Sequence, residues 1–279
     1  TIKQKKNLLL RAPTGIGKTM STVFPAIRAI GEGCGDRLFY LTAKTITRTV
    51  AEEAVSILKE KGLQFKAITL TAKEKMCILD EPECDPIHCP RAKGHFDRVN
   101  DAVFDIIHEQ QGITREILLQ YADRYQVCPF ELCLDISSWV DGIICDYNYV
   151  FDPTASLIRY FEDGFKKPYL LLVDEAHNLP SRTREMYSAE LSIFDFLKLK
   201  KEMPNINSRK IKSLTNKLID YFKDYECSSD HVELECVPDD LEDMLSEFLE
   251  RAKTVIKDFP KEVNDTFLDV YFKVNSFLN

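Results

Sequence analysis

The chain has 279 residues, 44% hydrophobic and 29% charged; this predicts one large folded domain or two ordinary ones and excludes a wholly disordered protein. A net charge of −8 disfavours a protein that coats nucleic acid nonspecifically, and no apolar run approaches the roughly 18 residues of a membrane-spanning helix. No membrane partner is therefore expected. Nine cysteines, an odd number, in a chain without a secretory signal predict a cytoplasmic protein that has no disulfide framework.

The first half of the chain alternates predicted strands and helices. An apolar run at residues 7–10 is a candidate strand that leads into a loop, and residues 19–30 have the apolar spacing of a helix. The following predicted elements are at 37–41, 47–61, 65–70, 96–108, 114–125, 142–145 and 169–173. Short apolar runs bounded by turns are typical of parallel strands buried on both faces. The predicted fold class is therefore α/β, a doubly wound parallel sheet interrupted by a cysteine-rich, mainly helical segment.

The composition changes from about residue 188 onwards. Glycine is absent after Gly164, and apolar residues recur at helical spacing within 214–222, 241–249 and 267–274. This pattern predicts an all-helical second unit.

Charge is distributed unevenly along the chain. Residues 1–76 hold 14 Lys and Arg against 6 Asp and Glu, whereas residues 224–250 hold 11 Asp and Glu and no Lys or Arg. A basic first third is able to face a polyanion, and the acidic segment is not. The charge distribution alone is equally consistent with two helix faces that are simply exposed to solvent.

A phosphate-binding loop lies between the first candidate strand and the first helix. Residues 12–19 read Ala-Pro-Thr-Gly-Ile-Gly-Lys-Thr, a Walker A loop with Ala at the usual first glycine. Its glycines let backbone N–H groups turn onto the β-phosphate, its Lys supplies charge to the β- and γ-phosphates, and its last Thr supplies a hydroxyl to Mg²⁺. The alternative is an ordinary glycine-rich turn. We expect these residues to bind ATP: Thr14, Gly15, Ile16, Gly17, Lys18 and Thr19.

Two acids end the last predicted strand of the sheet. Residues 170–177 read Leu-Leu-Leu-Val-Asp-Glu-Ala-His, and ligands bind at the carboxyl ends of parallel strands. We expect Asp174 to hold Mg²⁺ and Glu175 to orient and deprotonate the attacking water. His177 is interpreted as a coupling group, since no second His is near. The alternative is a strand end capped by solvated acids.

These motifs together resemble the superfamily 2 nucleic-acid helicases. The resemblance is carried by the loop at 12–19, by Leu-Thr-Ala-Lys-Thr at 41–45, and by the DEAH box within Val-Asp-Glu-Ala-His-Asn at 173–178. More narrowly, the chain resembles the XPD/DinG-type iron–sulfur helicases, whose cysteine-rich insertion falls between the same two motifs. Residues 127–130 (Val-Cys-Pro-Phe) and 146–153 (Asp-Tyr-Asn-Tyr-Val-Phe-Asp-Pro) match that pattern too.

The resemblance implies a domain organisation and an activity. It places a first RecA-like motor domain at 1–76 and 138–187, an iron–sulfur insertion at 77–137, and, by position only, an incomplete helical arch domain at 188–279. The implied activity is ATP hydrolysis coupled to 5′→3′ translocation on single-stranded DNA or DNA junctions, in DNA repair. No protein partner is indicated.

Four cysteines form a candidate metal site. Six residues separate Cys77 from Cys84, four separate Cys84 from Cys89, and 38 separate Cys89 from Cys128. Spacing alone leaves an iron–sulfur cluster, a zinc ion and free thiols open. Zinc usually shows tight Cys-x-x-Cys pairs, which this sequence lacks, and His88 is disfavoured as a ligand because it adjoins Cys89.

The resemblance favours a 4Fe-4S cluster on these four cysteines. Cys133 competes with Cys128, because the pair repeats the four-residue gap between Cys84 and Cys89. Cys128 is preferred since it lies in the family motif. Cys133 falls in an apolar helical stretch, where we expect a packed thiol.

Two short segments are candidate DNA contacts. Thr42, Lys44 and Thr45 follow the strand at 37–41; the resembled family contacts the DNA backbone with that loop, and these side chains suit phosphates rather than bases. A second set follows the strand at 142–145 and is able to stack or hydrogen-bond along a single strand: Tyr147, Asn148 and Tyr149. The alternative for both sets is core tyrosines and a helix-capping threonine.

Two other classes of function compete with a helicase. A non-catalytic nucleic-acid-binding module with a structural or redox-sensing metal explains the cysteines without catalysis. A P-loop kinase or other small-molecule NTPase explains the Walker loop but not the cysteines.

The resemblance also implies a missing part. Superfamily 2 helicases receive an arginine finger from a second RecA-like domain. Glycine-free residues 188–279 are poorly suited to form one, because tight strand–helix turns favour glycine. We therefore expect the second RecA-like domain elsewhere in a longer protein, of which this chain, beginning at Thr1 and after the family's adenine-reading Gln segment, is a piece.

Overall fold

The computed structural model describes residues 1–13, 15–43, 45–110, 112–161, 167–203, 208–224 and 231–279, without the side chains of residues 45, 46 and 262. The chain divides into two compact units, Thr1–Met186 and Tyr187–Asn279. Among the described residues, no helix combines the length and the apolar character needed to cross a bilayer.

Four parallel strands form the sheet of the first unit. They are β1 (Arg37–Leu41), β2 (Ala67–Thr69), β3 (Gly142–Cys145) and β4 (Tyr169–Val173), in the spatial order β2–β3–β1–β4. Leu41 lies opposite both Cys145 and Val173, so three strands end level with one another. Residues that follow these strands therefore gather at one edge of the sheet.

Helices cover both faces of this sheet. On one face, α1 (Lys18–Gly31) and α2 (Thr45–Glu60) pack against Leu38 and Tyr40 of β1. On the other, α4 (His95–Glu109), α5 (Arg115–Tyr125) and α6 (Pro129–Ser137) share a core with Phe39 and Leu41. Four shorter helices complete the unit: α3 (Lys73–Met76), α7 (Asn148–Phe151), α8 (Ile158–Phe161) and α9 (Leu179–Met186). The α/β fold class predicted from the sequence is confirmed.

The cysteine-bearing segment does not fold apart from the sheet. Val99, Ile106, Leu118 and Leu132, from its helices, belong to the same buried cluster as Ile143 of β3. Continuous apolar packing of this kind makes one core rather than two.

The strand predicted at residues 7–10 is wrong. These residues adopt no strand, and Leu8, Leu9 and Leu10 are 65%, 94% and 59% exposed. The apolar run satisfies the pattern of a buried strand, but a strand also needs a neighbour to accept its hydrogen bonds. Residues 7–10 belong to no strand of the described sheet, whose order is β2–β3–β1–β4.

The second unit is all-helical in its described residues. It contains α10 (Ile193–Glu202), α11 (Arg209–Asp224), α12 (Asp239–Asp258) and α13 (Asp265–Leu278). Phe196, Phe248 and Phe267 are fully buried at its centre. Ser192 and Asp195 form a capping box at the start of α10, and Asn264 caps α13.

Candidate nucleotide and metal-binding site

The Walker loop turns sharply into α1. Gly15 and Gly17 have φ values of +82° and +78°, in the left-handed region that side chains rarely adopt. The space where their Cβ atoms would point is open, since no heavy atom lies within 4 Å. Nζ of Lys18 reaches back to within 3.4 Å of the Ala12 carbonyl oxygen, and Ile16 is 60% exposed. An exposed loop with free backbone amides at a helix N-terminus fits a phosphate group. Thr14 lies outside the described residues.

The two acids form a tight turn at the end of β4. The backbone amide of Asp174 donates to the Leu41 carbonyl oxygen at 2.9 Å, and the amide of Glu175 donates to Oδ1 of Asp174 at 3.1 Å. Glu175 has φ +51° and ψ +40°, a left-handed conformation that is unfavourable for a residue with a Cβ. Nδ1 of His177 lies 3.5 Å from Oε2 of Glu175. His177 thus lies beside Glu175 in the turn.

Tyr40 of β1 joins the Walker loop to the acidic turn. Burial raises the pKa of its phenol, hydrogen bonding with Thr19 lowers that pKa, and the carboxylate of Asp174 raises it through its charge and a hydrogen bond. The phenol of Tyr40 is therefore near both Thr19 and Asp174, the two expected Mg²⁺ ligands. The sequence analysis did not single out Tyr40, because it has the pattern of an ordinary buried strand residue. The available signal was its position one residue before the end of β1.

Several expected DNA contacts are buried. Tyr147 is 0% exposed, and its hydroxyl donates to the backbone carbonyl oxygen of Asp174. Thr42 is 1% exposed, and its hydroxyl pairs with that of Thr47. Neither side chain is available to a DNA strand in this structure, because each is enclosed by the elements that meet at the sheet edge.

The remaining expected contacts are more open or fall outside the description. Asn148 and Tyr149 are half-buried. Oδ1 of Asn148 accepts from Arg182 at 3.2 Å, and the Tyr149 hydroxyl lies 3.4 Å from the Thr71 carbonyl oxygen. Lys44 and the side chain of Thr45 are outside the described residues.

An ion network that the sequence analysis missed surrounds Asp146. One carboxylate oxygen lies 3.6 Å from Arg48 of α2, and the other lies 3.7 Å from Arg182 of α9. The Asp146 and Arg48 side chains are less than one-fifth exposed. Because α9 directly follows the acidic turn, this network ties the segment after that turn to the end of β3.

The cysteines predicted as metal ligands lie where the cysteine-bearing segment begins and ends. Cys77 ends α3, and Cys128 precedes the first residue of α6. Cys89 is buried and Cys84 is exposed. Hydrogen bonding to the Cys84 thiolate raises the pKa of Lys73, and the charge of Cys128 acts in the same direction. Lys73 thus lies near the sulfur atoms of Cys84 and Cys128, which come from two separate segments.

Thiol spacing bears on the kind of metal. Zinc–sulfur bonds of about 2.3 Å place tetrahedral thiolates about 3.8 Å apart. Among the described His, Cys, Asp and Glu side chains, the one group of three whose ligand atoms lie within 4.8 Å is Glu83, Asp85 and His88. Nδ1 of His88 is engaged by Asp85 at 2.6 Å, which raises the pKa of His88. No three of the described cysteine sulfur atoms therefore lie within 4.8 Å of one another.

Cys133 sits inside the core. It is 1% exposed, its Sγ lies 3.8 Å from the Thr69 carbonyl oxygen, and burial raises its pKa to about 12. Burial also raises the pKa of Cys128, but that side chain is only half-buried; Cys133 is the poorer candidate ligand because it is enclosed in the core.

Comparisons with known proteins point to one family. The DEAD_2 family model matches residues 41–195. A regulator of telomere elongation helicase 1 homolog from Caenorhabditis briggsae is 22% identical over 68% of this chain and 23% of its own length. The XPD/RAD3 helicase subunit of general transcription and DNA repair factor IIH from Saccharomyces cerevisiae is 22% identical over 67% of this chain and 28% of its own length.

The fold has a counterpart among solved structures. An XPD helicase structure superposes with a TM-score of 0.60 and 19% identity, over 99% of this chain and 47% of that chain. The chain spans about a quarter of the length of the two sequence relatives.

Proposed function

The chain belongs to the DEAD_2 family, whose model matches more than half of it, and from that premise we propose that it is the first RecA-like motor domain of an ATP-dependent DNA helicase. The observation that carries the proposal is the place of Asp174: its amide donates to the carbonyl oxygen of Leu41 at the end of β1, and Tyr40, the residue before Leu41, has both Thr19 and Asp174 near its phenol. A phosphate loop and an acidic turn brought together at the carboxyl edge of a parallel sheet are the parts that nucleotide hydrolysis requires.

Each residue of this site has a distinct role in the proposal. The amides around Gly15 and Gly17 and the ammonium of Lys18 bind the β- and γ-phosphates, with Thr14 and Ile16 completing the loop. Thr19 and Asp174 hold Mg²⁺, which would neutralise charge on the phosphates. Glu175 accepts the proton of the attacking water, and His177, 3.5 Å from it, couples its state to DNA.

The proposed DNA contacts follow strands β1 and β3 in the sequence. Lys44 and Thr45 are candidates for backbone phosphates, and Asn148 and Tyr149 for the exposed bases of a single strand. Thr42 and Tyr147 support the edge from inside, given their burial. The polyanion would approach the part of the chain in which Lys and Arg outnumber Asp and Glu, residues 1–76.

The thiols of Cys77, Cys84, Cys89 and Cys128 are proposed to hold a 4Fe-4S cluster. The donor set fits, because four cysteines are what such a cluster takes from the protein, and Lys73 adds positive charge beside two of them. When bound, the cluster would supply a rigid cross-link or an electron-transfer group. This chain contributes the thiolates and the packed helices that hold them.

The domain assignment completes the proposal. Residues 1–76 and 138–187 form the motor domain, 77–137 the iron–sulfur insertion, and 188–279 part of an arch domain. We also propose that the full-length protein has a second RecA-like domain. It would move 5′→3′ along single-stranded DNA in DNA repair. Because the alignments span only about a quarter of each matched relative, these properties concern the full-length protein.

The test is ATP hydrolysis by the full-length protein with and without single-stranded DNA. A helicase motor hydrolyses ATP faster when DNA is bound. Hydrolysis that is indifferent to single-stranded DNA would favour a small-molecule NTPase, and a protein that binds DNA but no Mg-nucleotide would be a non-catalytic module.

A further inference from the structure

Tyr147 makes a contact with the acidic turn that its place in the sequence does not explain. It lies two residues after β3 and is 0% exposed, and its hydroxyl donates to the backbone carbonyl oxygen of Asp174. Burial, followed by the charge of Asp174, raises the pKa of Tyr147 to about 12. The hydroxyl therefore stays protonated and remains a donor at physiological pH.

The accepted carbonyl belongs to the peptide that joins Asp174 to Glu175. Rotation of that peptide plane changes φ of Glu175, which stands at +51°. A non-glycine residue in this region is unfavourable by about 1 kcal/mol or more, so the conformation persists only where its surroundings hold it.

The polar atoms of the turn are held from several sides. The amide of Asp174 is bound by Leu41, the amide of Glu175 by the Asp174 carboxylate, and the carbonyl of Glu175 accepts from Asn178 at 2.9 Å. The Asp174 carbonyl is the remaining backbone group between the two acids, and Tyr147 binds it. The Tyr147 hydroxyl thus completes the set of hydrogen bonds around the turn.

Tyr147 is itself held firmly. Its carbonyl oxygen accepts from Phe151 at 2.9 Å within α7, and its neighbour Asp146 lies between Arg48 and Arg182. A donor anchored in this way is able to impose an orientation on the peptide that it binds.

We propose that Tyr147 is a positioning residue for Glu175: it holds the Asp174–Glu175 peptide so that Glu175 keeps its left-handed conformation. The role rests on the proposed function, in which Glu175 activates the attacking water. In this role Tyr147 supports ATP hydrolysis and does not contact DNA.

The test uses Tyr147→Phe, which removes one oxygen and keeps the ring in the core. The full-length protein should show a roughly tenfold lower kcat for DNA-stimulated ATP hydrolysis, with KM for ATP changed less than twofold, because the lost bond acts on Glu175 and not on phosphate binding. Amide hydrogen exchange should also be faster at residues 175–178. A purely structural tyrosine would not split kcat from KM in this way.

Tyr160→Phe is the matched control. Tyr160 is 5% exposed in the same core, and its hydroxyl pairs with Ser137 at 2.7 Å instead of with the turn. It should leave kcat and exchange at 175–178 unchanged. Unchanged exchange at 175–178 in Tyr147→Phe would overturn the proposal, as would an unchanged kcat in an active enzyme. If the wild-type protein hydrolyses no ATP, the proposed function fails, while the exchange measurement still decides whether Tyr147 holds the turn.

Discussion

The backbone amide of Cys128 donates a hydrogen bond to Nδ1 of His95 at 3.2 Å. This bond ties the last of the four candidate ligands to the start of α4, six residues beyond Cys89. His95 is 4% exposed, and burial lowers its pKa, which favours the neutral ring. With Nδ1 accepting, Nε2 carries the proton; Nε2 is buried and has no hydrogen-bond partner among the described atoms. His95 therefore ties the start of α4 to the residue that precedes α6.

Replacing His95 should loosen the proposed cluster. In His95→Ala the Cys128 amide loses its acceptor, so we expect less iron per chain and faster loss of absorbance near ~400 nm in air. His108→Ala is the control, since His108 lies on the same helix but bonds to its own helix at the Phe104 carbonyl oxygen. Equal cluster lifetimes in the two variants would contradict this role for His95.

The four ligands themselves should be individually required. Anaerobically purified protein should contain about four irons per chain, and serine in place of Cys77, Cys84, Cys89 or Cys128 should remove the colour and the iron. Cys133→Ser should retain both, because that thiol lies in the core with its pKa raised to about 12. Stoichiometric zinc without iron in anaerobic protein would show that the proposed cluster is wrong.

Mutations in the Walker loop and in the acidic turn should affect nucleotide affinity and ATP turnover differently. Lys18→Ala removes a charge that acts on bound ATP and on the transition state, so Mg-nucleotide affinity and turnover should both fall. Glu175→Gln preserves shape but removes the base, so affinity should persist while turnover drops by about two orders of magnitude or more. Equilibrium titration with a fluorescent nucleotide and steady-state ATP hydrolysis in the full-length protein measure the two effects. Normal turnover by Glu175→Gln would remove Glu175 from the mechanism.

The 279 residues alone should bind Mg-nucleotide but should not hydrolyse ATP at a significant rate. An arginine finger contributes ~10³–10⁵ in rate, and in the resembled helicases it comes from a second RecA-like domain. The described residues of the second unit form helices rather than a second parallel sheet. We expect weak binding of Mg-nucleotide and single-stranded DNA, negligible hydrolysis and no duplex unwinding. Hydrolysis at motor-like rates by this chain alone would show that the finger is supplied within it.

A close approach at the sheet gives a test of the fold. A Cβ at Gly142 would lie 2.7 Å from the Phe65 ring, so Gly142→Ala should lower the free energy of unfolding of the first unit by roughly 1–3 kcal/mol. Gly31→Ala, at the end of α1 with open space around its Cβ position, should cause no loss. Chemical denaturation of both variants measures the difference. Equal stability would mean that Phe65 moves aside at little cost.

The fold was largely predictable because its signals are local. The bounds of β1, β3 and β4 agree with the apolar runs at 37–41, 142–145 and 169–173. The prediction failed at 7–10, where the same kind of run has no strand beside it, and β2 is shorter than the run at 65–70. Strand formation depends on a partner that a pattern in one segment does not specify. The resemblance to XPD/DinG-type helicases is confirmed by the DEAD_2 match.

The sequence by itself determined the fold class, the two positive-φ glycines of the Walker loop and the acids that end β4, because each depends on residue type and spacing within a few positions. Only the tertiary structure decided which polar side chains face outwards. Tyr147 and Thr42 were expected to contact DNA, yet they are 0% and 1% exposed. The exposure of a side chain depends on the elements that pack around it, and those elements come from distant parts of the chain.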